Sequence, residues 1–411
     1  MLIQNFSISG NRVIALSDVP SREQISKDTM LVDPLSIFRT IISSKKHGKD
    51  LKNYFSYELS PIPLPLFSLT GMRKTSKSNL FKFFPALTKV PNLENATYVI
   101  DGGFLLHRVL WIGNSTYGEL CDKYVEYVQT FGSDVMVVFD GYEDTKNSTK
   151  NAEHLRRLKR KGSSPDLIID QDLICTIPQE NFLTNTNNKV NFIRSLCSRF
   201  QEKGIDWISA KNDADKLIVN TAIQKSRDGE NAVIVGEDTD LLLLAVVLSE
   251  YPLLMMKPAQ PNTVDKYFSV LKIKKKVPSG LLFLHLFTGS DTTNAFYGKD
   301  KVTAISILIK KSYLSHEMDK FYDPNADPNA IVQAGEIIAA ALYGANKERN
   351  LNEYRYKCFE KLSKNKREFD LSQLPPTKAA LEQHSKRVYY ELQNVIGNTL
   401  DPVKFGWHCL F

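Results

Sequence analysis

The stretch TYVIDGGFLLHRVL (97–110) decides how the rest of the chain is read. It opens as a short run of β-branched and aromatic residues, reaches an acid at Asp101, and passes through two glycines into an apolar helical pattern. DVMVVFD (134–140) repeats the strand-then-acid form, and AVIVGED (232–238) repeats it again. Between them, Leu120, Tyr124, Tyr127, Val128 and Phe131 recur at helical spacing. Residues 190–203 and 213–225 read as helices, IDWIS (205–209) as a strand, and LLLLAVV (241–247) as a buried helix. Strands alternating with helices predict an α/β fold with a mostly parallel sheet. Near-continuous apolar strands such as VMVVF predict a sheet covered on both faces.

Outward from this core the chain is less regular. Residues 1–95 read as an N-terminal extension, with a proline-rich patch at 61–65 and a basic polar stretch from Arg73 to Lys77. Residues 278–310 read as two helical segments around a Gly/Asp turn. A helical pattern dominates the C-terminal region from about 326, interrupted by Pro375-Pro376. The expected division is therefore an extension (1–95), an α/β domain (96–310) and a helical C-terminal region (311–411).

Composition narrows the setting. The chain has 411 residues, 42% hydrophobic and 24% charged, as in an ordinary soluble globular protein. Its net charge of +7 suits a polyanionic partner without requiring one. The five cysteines (121, 175, 197, 358 and 409) form no C-x-x-C pair, which argues against a zinc finger or a disulfide framework and for a reducing compartment. MLIQNFSISGNRVIAL (1–16) has no continuous apolar stretch of the secretory kind. The longest apolar run, Leu241 to Leu248, is far short of the roughly 20 residues that span a bilayer. An intracellular protein, nuclear or cytoplasmic, without a membrane partner is expected.

The chemistry lies in the acids. Asp101, Asp140 and Asp238 each follow an apolar strand, and ligands of open α/β sheets sit outside the carboxyl ends of the strands. Asp213/Asp215 and Asp238/Asp240 have the form D-x-D where a loop enters a helix, and Asp291 lies in FTGSDTT. Each acid alone has an ordinary explanation as a turn residue or a helix cap. Together, seven carboxylates in one cleft would repel one another and take up protons unless cations neutralise them. Magnesium or manganese suits a rim of hard oxygen donors, and a pair of such ions suits phosphodiester hydrolysis. The seven histidines show no metal-ligand spacing, and no P-loop or G-x-G-x-x-G occurs.

VIDGGFLLHRVL, VVFDGYED, AKNDADKLIV, VGEDTDLLLL and LFTGSDTTNAFYGKDKVTAI resemble, in that order, the acidic segments of the flap endonuclease/XPG family of PIN-like nucleases. The resemblance covers roughly residues 97–310, and LPPTKAALEQH (374–384) is similar to Asteroid/XPG-like open reading frames. It implies a PIN-like three-layer fold with a degenerate helix-hairpin-helix. It also implies Mg2+-dependent or Mn2+-dependent cleavage at two ions, with a 5′-phosphate product. Asp140, Asp213 and Asp215, with Asp101, would serve one ion; Asp238, Asp240 and Asp291 would serve the other.

The resemblance further makes the basic segment Lys146, Lys150, Arg156, Arg157, Lys159, Arg160 and Lys161 an arch that binds nucleic acid, DNA before RNA. Lys150 and Arg156 would reach the scissile phosphate. The sequence departs from the family at Asp213 and Asp215, which stand for glutamates, and at Asp300, which stands for the second hairpin glycine. Two other readings stay open: a PIN-like module that binds nucleic acid or protein without catalysis, and a phosphotransferase using Asp238 or Asp240 as nucleophile.

Overall fold

A computed structural model describes residues 13–18, 21–25, 28–32, 51–111, 113–141, 164–211, 213–276, 280–345, 350–365 and 370–407. The chain divides into two compact units, Leu80–Pro278 and Met1–Asn79 with Ser279–Phe411.

The Leu80–Pro278 unit is built on a six-stranded sheet. Its strands are β1 (Ala96–Asp101), β2 (Val135–Phe139), β3 (Asp206–Ser209), β4 (Asn231–Val235), β5 (Leu253–Lys257) and β6 (Lys266–Ser269). They lie in the order β6-β5-β4-β1-β2-β3. Only β6 runs antiparallel to its neighbour; the other pairings are parallel. The register sets Ile100 beside both Val137 and Val235, so the central strands end level with one another. The chain winds outward from β1 through β2 to β3, then returns to the other side of β1 as β4. The strand order therefore reverses beside β1, where open α/β sheets form a crevice.

Helices cover both faces. On one face Tyr98, Ile100, Val137, Phe139 and Val235 pack against side chains of α1 (Gly102–Arg108), α2 (Tyr117–Gln129), α3 (Gln179–Thr184) and α4 (Thr186–Glu202). Alternation along the strands turns Val99, Val138, Ala232 and Ile234, all buried, toward the opposite face. There α5 (Asp215–Arg227) packs along β1 and β4, with α6 (Thr239–Leu248) against α5 and α7 (Val270–Lys274) against α6. This is the expected α/β class, in three layers. Strands β5 and β6 were not legible: LLMMK continues the apolar character of α6, and KYFS is short. Among the described residues, no helix is long and apolar enough to cross a membrane.

The other unit is mainly helical. Its principal helices are α8 (Leu281–Phe287), α9 (Lys301–Ile309), α10 (Pro328–Leu342), α11 (Leu351–Asn365) and α12 (Lys378–Ile396). Helix α12 packs against α8 and α10. A Cβ at Gly335 would lie 2.0 Å from Ser385 Oγ, so only glycine permits that approach. Phe55 and Leu59 from the N-terminal part are buried against Phe359 and Leu374. A buried ion pair, Arg355 Nη2 to Glu58 Oε2 at 3.4 Å, joins the same two ends of the chain. Thr377 Oγ1 donates to Glu58 Oε1 at 2.7 Å.

Candidate metal centre

Asp101 is the last residue of β1 and the cap of α1; its Oδ1 accepts from the Gly103 N–H at 2.8 Å. Gly102 is required here, because a Cβ would lie 2.7 Å from the Val138 carbonyl oxygen. Asp140 follows β2 directly, and its Oδ1 accepts the Ala214 N–H at 3.0 Å. That bond ties the end of β2 to the turn that starts α5. Gly141 makes the approach possible, since a Cβ there would lie 2.2 Å from the carbonyl oxygens of both Ala210 and Lys211.

The D-x-D pairs occupy helix entrances. Asp215 is the first residue of α5, and Asp213 lies two residues ahead, outside regular helix. Asp238 caps α6 by accepting the Asp240 N–H at 2.9 Å, and Asp240 stands in the first turn. Two residues apart on a helix point to different sides, so both pairs depend on this irregular backbone.

These placements gather the acids of the Leu80–Pro278 unit at the carboxyl edge of the sheet. A Cβ at Gly103 would lie within 4 Å of both Asp101 Oδ1 and Asp140 Oδ2. The Gly236 turn reaches Asp101 from the other side, with its Cβ position 3.7 Å from Asp101 Oδ2. Burial pushes the Asp101 carboxyl up to about 6, and the negative charges of Asp140 and Asp238 push the same way. The backbone N–H groups of Phe104 and Gly103 oppose them without cancelling the rise. A partly buried carboxylate pressed by two others is a site that a cation relieves. Every donor here is a hard oxygen, which fits magnesium or manganese and not a soft metal.

Asp291 belongs to the other unit. It lies between α8 and α9 in a loop held by its own hydroxyls, where the Ser290 N–H donates to Thr293 Oγ1 at 3.0 Å. Thr293 Oγ1 in turn donates to the Leu286 carbonyl at 2.6 Å. The Lys301 ammonium, buried, donates to the His285 carbonyl at 2.7 Å and to that of Gly289. Asp300 has a local task as the cap of α9, its Oδ2 accepting from the Thr303 N–H at 3.1 Å. The sequence marks Lys74 and Lys77 only as part of a basic polar stretch in the N-terminal extension, with no tie to Asp291. The Lys77 ammonium stands 2.6 Å from Asp291 Oδ2, and that of Lys74 donates to the Asp291 carbonyl. The basic candidates Lys146, Lys150, Arg156, Arg157, Lys159, Arg160 and Lys161 lie outside the described residues.

No protein-family model and no curated protein matches this sequence. Among solved structures, the chain is similar to the catalytic core of Rad2 in complex with DNA substrate, at 15% identity and a TM-score of 0.39, covering 68% of this chain and 76% of that one. It is similar to the eukaryotic junction-resolving enzyme GEN-1 binding cesium at 15% identity and a TM-score of 0.34, covering 75% and 64%. The Holliday junction-resolving enzyme GEN1 with product DNA and Mg2+ is a weaker likeness, at 15% identity and a TM-score of 0.26, covering 74% and 63%.

Proposed function

We propose that the chain is a metal-dependent nuclease of the flap endonuclease/XPG type, in its Asteroid/XPG-like branch. It would hydrolyse phosphodiester bonds of DNA or RNA and leave a 5′-phosphate. One observation carries this reading. Asp101, Asp140 and Asp238 follow separate strands, yet a Cβ at Gly103 would lie within 4 Å of both the Asp101 and Asp140 carboxylates and the Gly236 turn that leads to Asp238 comes 3.7 Å from Asp101 Oδ2, a crowding in which burial pushes the Asp101 carboxyl up. A carboxylate held this way destabilises the metal-free protein, a cost that folding alone gives no reason to keep.

Asp140, Asp213 and Asp215, with Asp101, would hold one Mg2+ or Mn2+ ion; Asp238 and Asp240 would serve a second. When bound, such ions supply an acidified water and positive charge at the leaving oxygen. The chain's own residues do the rest. The cap bonds fix Asp101 and Asp238, and the Ala214 N–H fixes Asp140. Lys150 and Arg156 would meet the scissile phosphate. Lys146, Arg157, Lys159, Arg160 and Lys161 would hold the backbone of a single strand, which the acids alone would repel. Cys121, Cys175, Cys197 and Cys358 are free thiols, which supports an intracellular setting.

Crystals grown with Mn2+ test the assignment through anomalous scattering. Manganese peaks bounded by these aspartates are expected. Peaks elsewhere, or none at millimolar Mn2+, would leave a PIN-like binding module as the better reading.

A further inference from the structure

The last two strands of the six-stranded sheet set two ammoniums beside its carboxyl edge. β5 ends level with β4: Val235 pairs with Met256, and the Gly236 N–H donates to the Met256 carbonyl at 3.2 Å. Lys257 therefore stands next to the turn that leads to Asp238. In the antiparallel register of β5 and β6, Lys257 lies directly opposite Lys266, so both side chains leave the same face of the sheet. Alternation along β6 puts Phe268 on that face too. The Phe81 ring packs on Phe268 with centroids 5.2 Å apart, and the Lys257 ammonium lies over Phe81, 4.4 Å from its centroid. Lys257 is half-buried and Lys266 is exposed. Among the described residues, no carboxylate forms an ion pair with either. The loop between the strands is already formed. Asp265 Oδ1 accepts the Ala259 N–H at 2.7 Å, Thr263 Oγ1 accepts the Gln260 N–H at 2.7 Å, and Asn262 takes the left-handed backbone, φ 68°. Like charges directly opposite on paired strands destabilise the pairing. Phe81 offsets part of that cost for Lys257. An anion between the two ammoniums would remove it.

We propose that Lys257 and Lys266 hold one backbone phosphate of a nucleic-acid strand at the Asp238 side of the carboxyl edge. The inference rests on the nuclease reading and adds a contact for its substrate. Carboxylates repel a phosphate backbone, and two cations on the adjoining strands counter that repulsion where the strand must pass. Both lysines stand on paired strands joined by a formed loop, so binding costs little ordering of the backbone. The contact is to phosphate and not to a base edge. It positions the strand without reading its sequence.

The test is binding of a labelled single-stranded DNA, in Ca2+ to block cleavage, across a salt series. Lys257→Gln with Lys266→Gln should lower the slope of log affinity against log salt by about 0.7, the share of one phosphate, and weaken binding roughly fivefold at about 0.1 M salt. Each single variant should lose most of that, because the two lysines share the phosphate. Lys257→Arg with Lys266→Arg, which keeps both charges, should stay close to wild type. Lys52→Gln, which removes an exposed lysine paired with Glu353, should change nothing. In the free protein, Lys266→Gln should hold or raise the melting temperature, because it relieves the cross-strand repulsion. A lowered melting temperature would make Lys266 a structural residue and overturn the proposal. Unchanged affinity and slope in the double Gln variant overturns the phosphate contact and leaves the nuclease reading standing. Equal wild-type affinity for polyglutamate, equally weakened in that variant, overturns the assignment to phosphate. A wild type that binds no strand at low salt overturns both this contact and the nuclease reading.

Discussion

At the scale of single residues, a crowded carboxylate sets how the metal-free protein responds to pH. Burial, with the charges of Asp140 and Asp238, pushes the Asp101 carboxyl up from its ordinary 3.8 to about 6. A raised carboxyl contributes stability that is fully present below the unfolded value and is lost as pH rises through the folded one. Asp101→Asn should therefore stabilise the metal-free protein at pH 7, by up to about 2–3 kcal/mol. The gain should shrink as pH falls from about 6 to about 4, a window set by the two values above. Denaturant melts of both proteins in chelator across that range check it, and a gain independent of pH would contradict the cause given. The comparison must be between variant and wild type, because His384 acts in the opposite direction. Burial pushes its imidazole down to about 3, so it costs stability as pH falls below its ordinary range. Asp240→Asn tests the same crowding from the ligand side. Saturating Mg2+ at 100 times Kd stabilises a one-site protein by about 2.7 kcal/mol, and the variant should lose most of that. Equal Mg2+-induced shifts in thermal melts would remove Asp240 from the ligand set.

At the scale of elements, the strand-to-acid junctions were the most legible part of the chain. Apolar runs ending at Asp101, Asp140 and Asp238 state both the strand and the edge it faces, because a parallel sheet buried on both sides leaves little else for such runs to be. The D-x-D pairs were legible for a similar reason, since they sit where backbone geometry changes. The bond from the Ala214 N–H to Asp140 was not legible, because it joins residues 74 apart through a close backbone approach that no periodicity records. Gly141 carries that approach. Gly141→Ala would set a Cβ 2.2 Å from two backbone oxygens, so the β2 end and the α5 entrance must part. Destabilisation of about 1–3 kcal/mol is expected, with loss of the Asp140 contact and of metal-dependent activity. Chemical denaturation and cleavage assays measure the two effects separately. An alanine variant with wild-type stability would show that this approach is not required.

At the scale of the whole molecule, the N-terminal part is the hardest to read, yet its described residues from 51 to 79 are structurally committed. Glu58 meets Arg355 and Thr377, and Lys77 meets Asp291, across 297, 319 and 214 positions of sequence. Pairings that distant leave no spacing for a sequence reading to find. They predict that Glu58→Ala costs about 3–5 kcal/mol, because a buried guanidinium loses its charge partner. Glu58→Leu with Arg355→Met should cost much less, and urea denaturation of the single and double variants distinguishes a buried pair from a spectator. Charge at this scale also bears on substrate. Each phosphate neutralised on a single strand adds about −0.7 to the slope of log affinity against log salt. Replacing Arg156, Arg157, Lys159 and Arg160 by alanine should therefore weaken binding of a labelled single strand, measured in Ca2+, and flatten that slope. Unchanged affinity and slope would send the strand by another route.

Cleavage of nucleic acid decides whether these carboxylates form a nuclease centre. The purified 411-residue chain at excess over end-labelled single-stranded and flapped DNA, with Mg2+ or Mn2+, should give a burst of fragments carrying 5′-phosphate ends. EDTA should abolish the burst, and Asp140→Asn and Asp238→Asn should each reduce it by at least about 100-fold, the scale of losing about 2.7 kcal/mol of transition-state stabilisation. Fragments that persist equally in both variants, or no cleavage of DNA or RNA with either metal, would contradict the assignment of these carboxylates to a nuclease centre.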